Sequence, residues 1–169
     1  EDAGPLVTPQ VLSLRSGETI IGTAWQGLRV NTVHNLSLNI TSYPDKLSPG
    51  EANLIEITIR NDGNGAATAL IDLPWSSDSW KWWALHEGTN VTTGVPLSVS
   101  YDLENEKTID LWLLLPSLEA ANEYHEITIS VTPSGSPDTY SNATFDAVTK
   151  TVKKPELVGY PEETAVSTD

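Results

Sequence analysis

Apolar residues recur at every second position in run after run of this chain, and that period fits half-buried β-strands better than helices. Ile55, Ile57 and Ile59 alternate with Glu56, Thr58 and Arg60, and Leu36, Leu38 and Ile40 with Ser37, Asn39 and Thr41. The same beat returns at Leu97, Val99 and Tyr101 and at Ile127, Ile129 and Val131, with Ser or Thr between. Successive side chains of a strand point to opposite faces, so each run offers one face to a core and the other to water. Ala67, Ala69, Ile71 and Leu73 make a weaker run. Residues 109–115 are apolar at both parities, which reads as a strand covered on both sides or at the centre of a sheet.

Turn residues punctuate these runs. Leu47-Ser48-Pro49-Gly50-Glu51 and Asn61-Asp62-Gly63-Asn64-Gly65 are strong turn signals, the second one expected to exploit the tolerance of Asn, Asp and Gly for positive φ. Glu104-Asn105-Glu106 and Ser134-Gly135-Ser136-Pro137-Asp138 do the same later. Strands are therefore expected near 36–42, 53–61, 66–73, 80–86, 96–102, 107–115, 123–132 and 143–153, with one helical scrap at 117–122. The fold class that follows is all-β, an immunoglobulin-like two-sheet antiparallel sandwich. Its expected core is Ile55, Ile57, Ile59, Ile71, Leu97, Val99, Leu111, Leu113, Ile127, Ile129 and Val131, with Glu56, Thr58, Arg60 and Thr128 facing water.

Composition removes several functions. There is no Cys, hence no disulfide, no thiolate metal site and no thiol nucleophile. With 9 Lys+Arg against 23 Asp+Glu, the formal net charge of −14 repels phosphate backbones and anionic membranes, so no nucleic-acid partner is expected. No stretch reaches the roughly 18 apolar residues of a membrane span, and no membrane insertion is expected in this segment. The absence of any Met suggests a segment of a longer precursor.

A faint internal repeat bears on the organisation. Thr32-Val33 recurs 119 residues later as Thr151-Val152, and Tyr43-Pro44-Asp45 recurs 117 residues later as Tyr160-Pro161-Glu162. Such echoes suit a tandem array with shared linkers. The expected division is 1–35 as the tail of a preceding unit or extra strands, 36–153 as the main domain, and 154–169 as the linker to a following unit.

Residues 36–153 resemble the CARDB-type, adhesion-related domains of bacterial and archaeal exported proteins. The carrying residues are Leu36-x-Leu38-x-Ile40, then Leu47-Ser48-Pro49-Gly50-Glu51, then Ile55-x-Ile57-x-Ile59-Arg60-Asn61 with Asp62-Gly63-Asn64-Gly65 leading into Ala66-Ala67. The apolar strand that stops at Pro116 and the long strand after Tyr124 fit as well, whereas the tryptophan-rich stretch 75–83 departs from the pattern. The resemblance implies a non-catalytic, extracellular or cell-surface module for spacing or adhesion, often in tandem, with no catalytic residues to transfer.

Direct searches for chemistry agree with that reading. His125-Glu126 opens like a zinc-protease motif, but Ile129 stands where the second His belongs, and His86-Glu87 fails in the same way. No Gly-x-Ser-x-Gly elbow is present. Asp62-Gly63-Asn64-Gly65 fails as an EF-hand, with Ala67 at the sixth position and Leu73 at the twelfth. No catalytic residue, no metal ligand and no cofactor is assigned, and no enzyme is expected. Asn35, Asn39, Asn90 and Asn142 each open an Asn-x-Ser/Thr glycosylation sequon.

Tryptophan is the anomaly: six against one Phe, with Trp75, Trp80, Trp82 and Trp83 inside nine positions. Strand parity sends Trp80 and Trp82 one way and Trp83 the other, with Lys81. Trp75 and Trp83 are the candidate binding residues, and Trp80 and Trp82 are assigned to the core. The expected function is a structural or adhesive spacer whose partners are neighbouring domains of the same polypeptide, other surface proteins or glycans. The alternative is a carbohydrate-binding module using the 75–83 cluster.

Overall fold

The computed structural model describes residues 10–26, 31–74, 79–98 and 105–151, and in these the chain is all-β, without a helix. The strands are β1 (Gln10–Ser16), β2 (Thr19–Gln26), β3 (Leu36–Ser42), β4 (Lys46–Leu47), β5 (Ala52–Asn61), β6 (Ala67–Asp72), β7 (Lys81–His86), β8 (Thr89–Asn90), β9 (Val95–Leu97), β10 (Glu106–Leu114), β11 (Tyr124–Pro133) and β12 (Ser141–Thr149). Two five-stranded sheets, ordered β3-β5-β10-β7-β8 and β4-β12-β11-β6-β9, form an immunoglobulin-like sandwich, while β1 and β2 make a separate two-stranded sheet.

The alternating runs build the core. From the first sheet, Ile55, Ile57 and Ile59 of β5 and Ile109, Leu111 and Leu113 of β10 are fully enclosed; from the second, Ile127, Ile129 and Val131 of β11 and Ala69 of β6 meet them. Burying each of the large aliphatic side chains contributes about 1.5–3 kcal/mol. Val99 lies outside the described residues and Trp82, half-buried, packs against the core rather than within it; every other residue assigned to the core is buried.

Thr58 corrects the assignment of β5. It was expected to face water, yet it is 9% exposed. It sits on the outer face directly between Asn39 of β3 and Thr108 of β10. Flanking side chains on an inner strand cover a short residue whichever face it occupies. Glu56 and Thr128 are half-buried, and Arg60, nearer the strand end, is exposed. The helical scrap is also absent: residues 117–122 form turns, the Glu119 N–H donating to the Pro116 carbonyl and Asn122 taking a φ of 57°.

The segment 36–47 serves both sheets. It pairs as β3 with β5, steps across at 43–45, and pairs as β4 with β12, the one parallel pairing among the described strands. The Leu38 N–H donates to Ser141 Oγ at 3.2 Å, where β12 starts, and Leu47 stands opposite Thr149, where β12 ends. The first and last strands of the sandwich thus run side by side in the same direction.

Two turns are fixed by buried amides. Asn53 Nδ2 donates to the carbonyls of Ser48, Glu51 and Leu113, and its Oδ1 accepts from the Ser48 N–H at 2.7 Å. Asn61 closes the 61–65 turn by donating to the Gly65 carbonyl and accepting from the Gly63 N–H. Neither Gly63 nor Gly65 has positive φ, so the reason for Gly here is not the one expected from sequence. A Cβ on Gly63 would stand 2.1 Å from the Val33 carbonyl oxygen. The turn needs Gly because residues 31–35 lie against it: Asp62 and Asn64 N–H groups donate to the carbonyls of Asn35 and Val33, and Asn64 Nδ2 to that of Asn31.

Candidate functional site

With the inner faces committed to the core, the surface is where recognition must take place. The outer face of the first sheet is the unusual one. Because Ile109, Leu111 and Leu113 of β10 point inward, Trp112 and Leu114 point outward beside Asp110. Register then puts Trp112 directly opposite Trp83 of β7 on one side and Leu54 of β5 on the other. The two indoles lie nearly parallel, 11° apart with ring centroids separated by 6.3 Å. Such an offset arrangement of aromatic rings is attractive beyond the area it buries.

An apolar band therefore crosses three neighbouring strands: Leu54, 37% exposed, then half-buried Trp112 and Trp83. Leu114 and Leu85 extend it along the strands, and Lys81, Glu56 and Asp110 border it. The indole N–H of Trp112 is enclosed and without a hydrogen-bond acceptor. Beside the band is a shallow depression of ≈ 360 Å³, lined by residues that include Leu85, His86, Glu106, Lys107 and Asp110. Flat rings bordered by carboxylates can stack on an apolar ligand face and accept hydrogen bonds from its hydroxyl groups.

The tryptophans divide as follows. Trp80 is 8% exposed and donates its indole N–H to Glu119 Oε2 at 2.9 Å. Trp82, opposite Leu113, packs against the core from its rim. Trp83 is the outward-facing member, and Trp75 lies outside the described residues. Sequence reasoning missed Trp112, the partner of Trp83. Its only local signal was the unbroken apolar run 111–115, in which one residue at the outward parity is an indole.

The four sequon asparagines, Asn35, Asn39, Asn90 and Asn142, are all exposed. Asn90 Oδ1 accepts from both the backbone N–H and the hydroxyl of Thr92, its own sequon residue. The three histidines are dispersed over different elements, His34 ahead of β3, His86 ending β7 and His125 in β11. At the 61–65 turn, the Arg60 guanidinium donates to Asp62 at 2.6 Å, and this bond holds the Asp62 carboxyl below the usual carboxylate range. Among the described residues, no helix is long and apolar enough to cross a membrane.

No family model matches this chain, and no curated protein matches it. Among solved structures, 38 chains do. AvmM, which catalyses macrocyclization in alchivemycin A biosynthesis, is 12% identical at a TM-score of 0.46, over 71% of this chain and 91% of its own. The CARDB domain of a Pyrococcus furiosus protein, solved in complex with di-metal ions, is 14% identical at a TM-score of 0.36, over 70% of this chain and 88% of its own. The major pilin subunit of Bacillus cereus is 8% identical at a TM-score of 0.38, over 85% of this chain and 48% of its own. These are likenesses of sandwich architecture, and function is carried by sites rather than by architecture.

Proposed function

We propose that this chain is a non-catalytic structural spacer of the CARDB type, an adhesive module of a secreted or cell-surface protein that repeats in tandem. The domain is 36–153, with 1–35 belonging to a preceding unit or adding strands and 154–169 leading to a following one. One observation carries the reading: β3–β4 and β12 run side by side in the same direction, from Leu38 beside Ser141 to Leu47 beside Thr149. The covalent path therefore enters the sandwich at one pole and leaves it at the other, which is what a module needs in order to separate its neighbours. Copies of the full chain fused in tandem should lengthen in solution scattering by at least about 26 Å each, the span of the nine residues of β12 at about 3.3 Å per residue. Fused copies that collapse into a particle scarcely longer than one copy would sink the spacer reading.

The second reading is carbohydrate binding, favoured by the parallel Trp83 and Trp112 rings beside Asp110 and Glu56 rather than by the 75–83 stretch as a whole. Electrophoresis through gels containing soluble polysaccharides tests it. Retardation that disappears in both Trp83→Ala and Trp112→Ala supports it, and equal mobility with and without polysaccharide eliminates it for the polymers used.

A further inference from the structure

At the pole where β12 ends, the connection between β10 and β11 folds back over the rim of the core. The Asn122 N–H donates to the Thr149 carbonyl, and the Thr149 N–H to that of Glu123. Glu123 and His125 are two residues apart in extended chain, so their side chains leave on the same side. That parity is shared by Ile127 and Ile129, which places His125 at the core's edge. The turn at 117–122 brings Glu119 to the same spot. Glu119, Glu123 and His125 each offer a ligand atom there, and these atoms lie within 4.8 Å of one another.

Two of the three groups are already braced. Thr149, fully buried, has its Oγ1 2.8 Å from His125 Nε2. An oxygen fixing one imidazole nitrogen leaves the other to bind a metal, an arrangement common around metal-ligating histidines. The Trp80 indole N–H fixes one oxygen of Glu119, and the Trp80 ring meets the His125 ring edge-on at 4.9 Å. Among the described residues no Lys or Arg forms an ion pair with these carboxylates; the ion pair there is Arg60 with Asp62, on another part of the molecule. Two carboxylates and an imidazole thus converge with no ion-pair partner among the described residues, on a chain of net charge −14.

We propose that Glu119, Glu123 and His125 form a divalent-metal site, suited to zinc, that fastens the β10–β11 connection to the rim of the sandwich. An imidazole with two carboxylates favours a borderline transition metal over calcium or magnesium, which take all-oxygen shells. Around tetrahedral zinc, ligands at about 2.0–2.2 Å stand about 3.3 Å from each other, so the donors must close by about 1.5 Å. The exposed Glu123 side chain can move that far. Three protein ligands leave a position for water or for a donor from another molecule. The sequence signal is Glu119-x3-Glu123-x-His125, with the acidic ligands upstream of the histidine, where a search for a second His downstream does not look.

The test is a titration of the full chain with zinc chloride in chelator-free buffer near neutral pH, followed by calorimetry and tryptophan fluorescence. Saturation at one equivalent is expected, with a fluorescence change from Trp80 and a raised melting temperature that returns to its starting value with chelator. Glu123→Gln changes an exposed group, so it should melt like the wild type in chelator yet bind zinc at least about tenfold more weakly. His125→Gln should lose the fluorescence response, and calcium should not reproduce it. Absence of saturable binding up to millimolar zinc would overturn the proposal. So would equal binding by wild type and Glu123→Gln, or an equal response to calcium, since either would reduce the effect to general attraction by a negative surface.

Discussion

Two antiparallel strand pairs in this chain carry similar apolar residues and end in opposite environments. In the β5–β10 pair, Ile55 and Ile57 lie opposite Leu111 and Ile109, and all four are fully enclosed. In the β1–β2 pair every described side chain, 13–23, is exposed, with Leu14 at 66%, Ile21 at 60% and Ile20 at 52%. Both pairs are joined by an antiparallel ladder along their length, so pairing to each other is not what separates them. The second sheet is: it covers β5–β10 and turns apolar area into stability, whereas a lone hairpin gains little and is marginal in water.

The largest consequence is expected from truncating the enclosed side chains. Leu111→Ala should lower unfolding free energy by about 2–5 kcal/mol in a denaturant titration. Leu14→Ala in the hairpin should leave the midpoint unmoved; an equal loss from both would mean that the hairpin shares the core's cooperative unit. Next comes Asn53→Ala, which strips three carbonyls and one N–H of their partner at the base of β5 and should cost about 2–3 kcal/mol. A deletion pair then locates the edge of the cooperative unit. Removing 1–30 should not change the main thermal transition, while removing 1–35 also takes away the backbone bonds to the 61–65 turn and should cost about 1–2 kcal/mol. Identical transitions for the two truncations would show that 31–35 contributes nothing.

Smaller effects belong to the outer face. Trp83→Ala should cost about 1 kcal/mol, the scale of an aromatic pair, far from the loss at Leu111; a core-sized drop in melting temperature would place Trp83 with the interior. Smallest is the pH effect of Asp62. Its folded carboxyl sits below the unfolded value because of the Arg60 hydrogen bond, so the stabilisation is complete above the unfolded value near pH 4 and fades as pH falls through the folded one. Asp62→Asn should melt slightly earlier than wild type at neutral pH and converge with it in acid. A gap that widens toward low pH would contradict this sign.

What was legible in the sequence followed from strand parity. The runs at 36–42, 53–61 and 107–115 became β3, β5 and β10 with shifts of a residue, since each has a clean apolar face or a solid apolar run. The two-residue strands β4 and β8 were not legible, because they exist only where β12 and β7 offer them an edge. Thr58 misled for a related reason: its burial depends on neighbours in two other strands. The outer-face site was half legible. Parity turned Trp83 outward, but its meeting with Trp112 depends on the register of β7 with β10, a non-local fact. Trp80 was assigned to the core correctly, while its closeness to Glu119 and His125 depends on the course of a turn that local pattern misread as helical.

The parallel run of the first and last strands has a mechanical side. Tension applied between residues 36 and 149 would draw β4 and β12 past each other along their length. The bonds from the Val148 N–H to the Asp45 carbonyl at 3.2 Å and from the Lys150 N–H to the Leu47 carbonyl at 2.8 Å would then be loaded in shear, together rather than in succession. A hairpin pulled open from its free ends parts one bond at a time and yields at low force. Here the load also falls on Leu47, whose side chain is fully enclosed and must be dragged out of the core before the bonds can slip. A chain strung along a taut surface filament would have its short β4 strand as the first catch to hold.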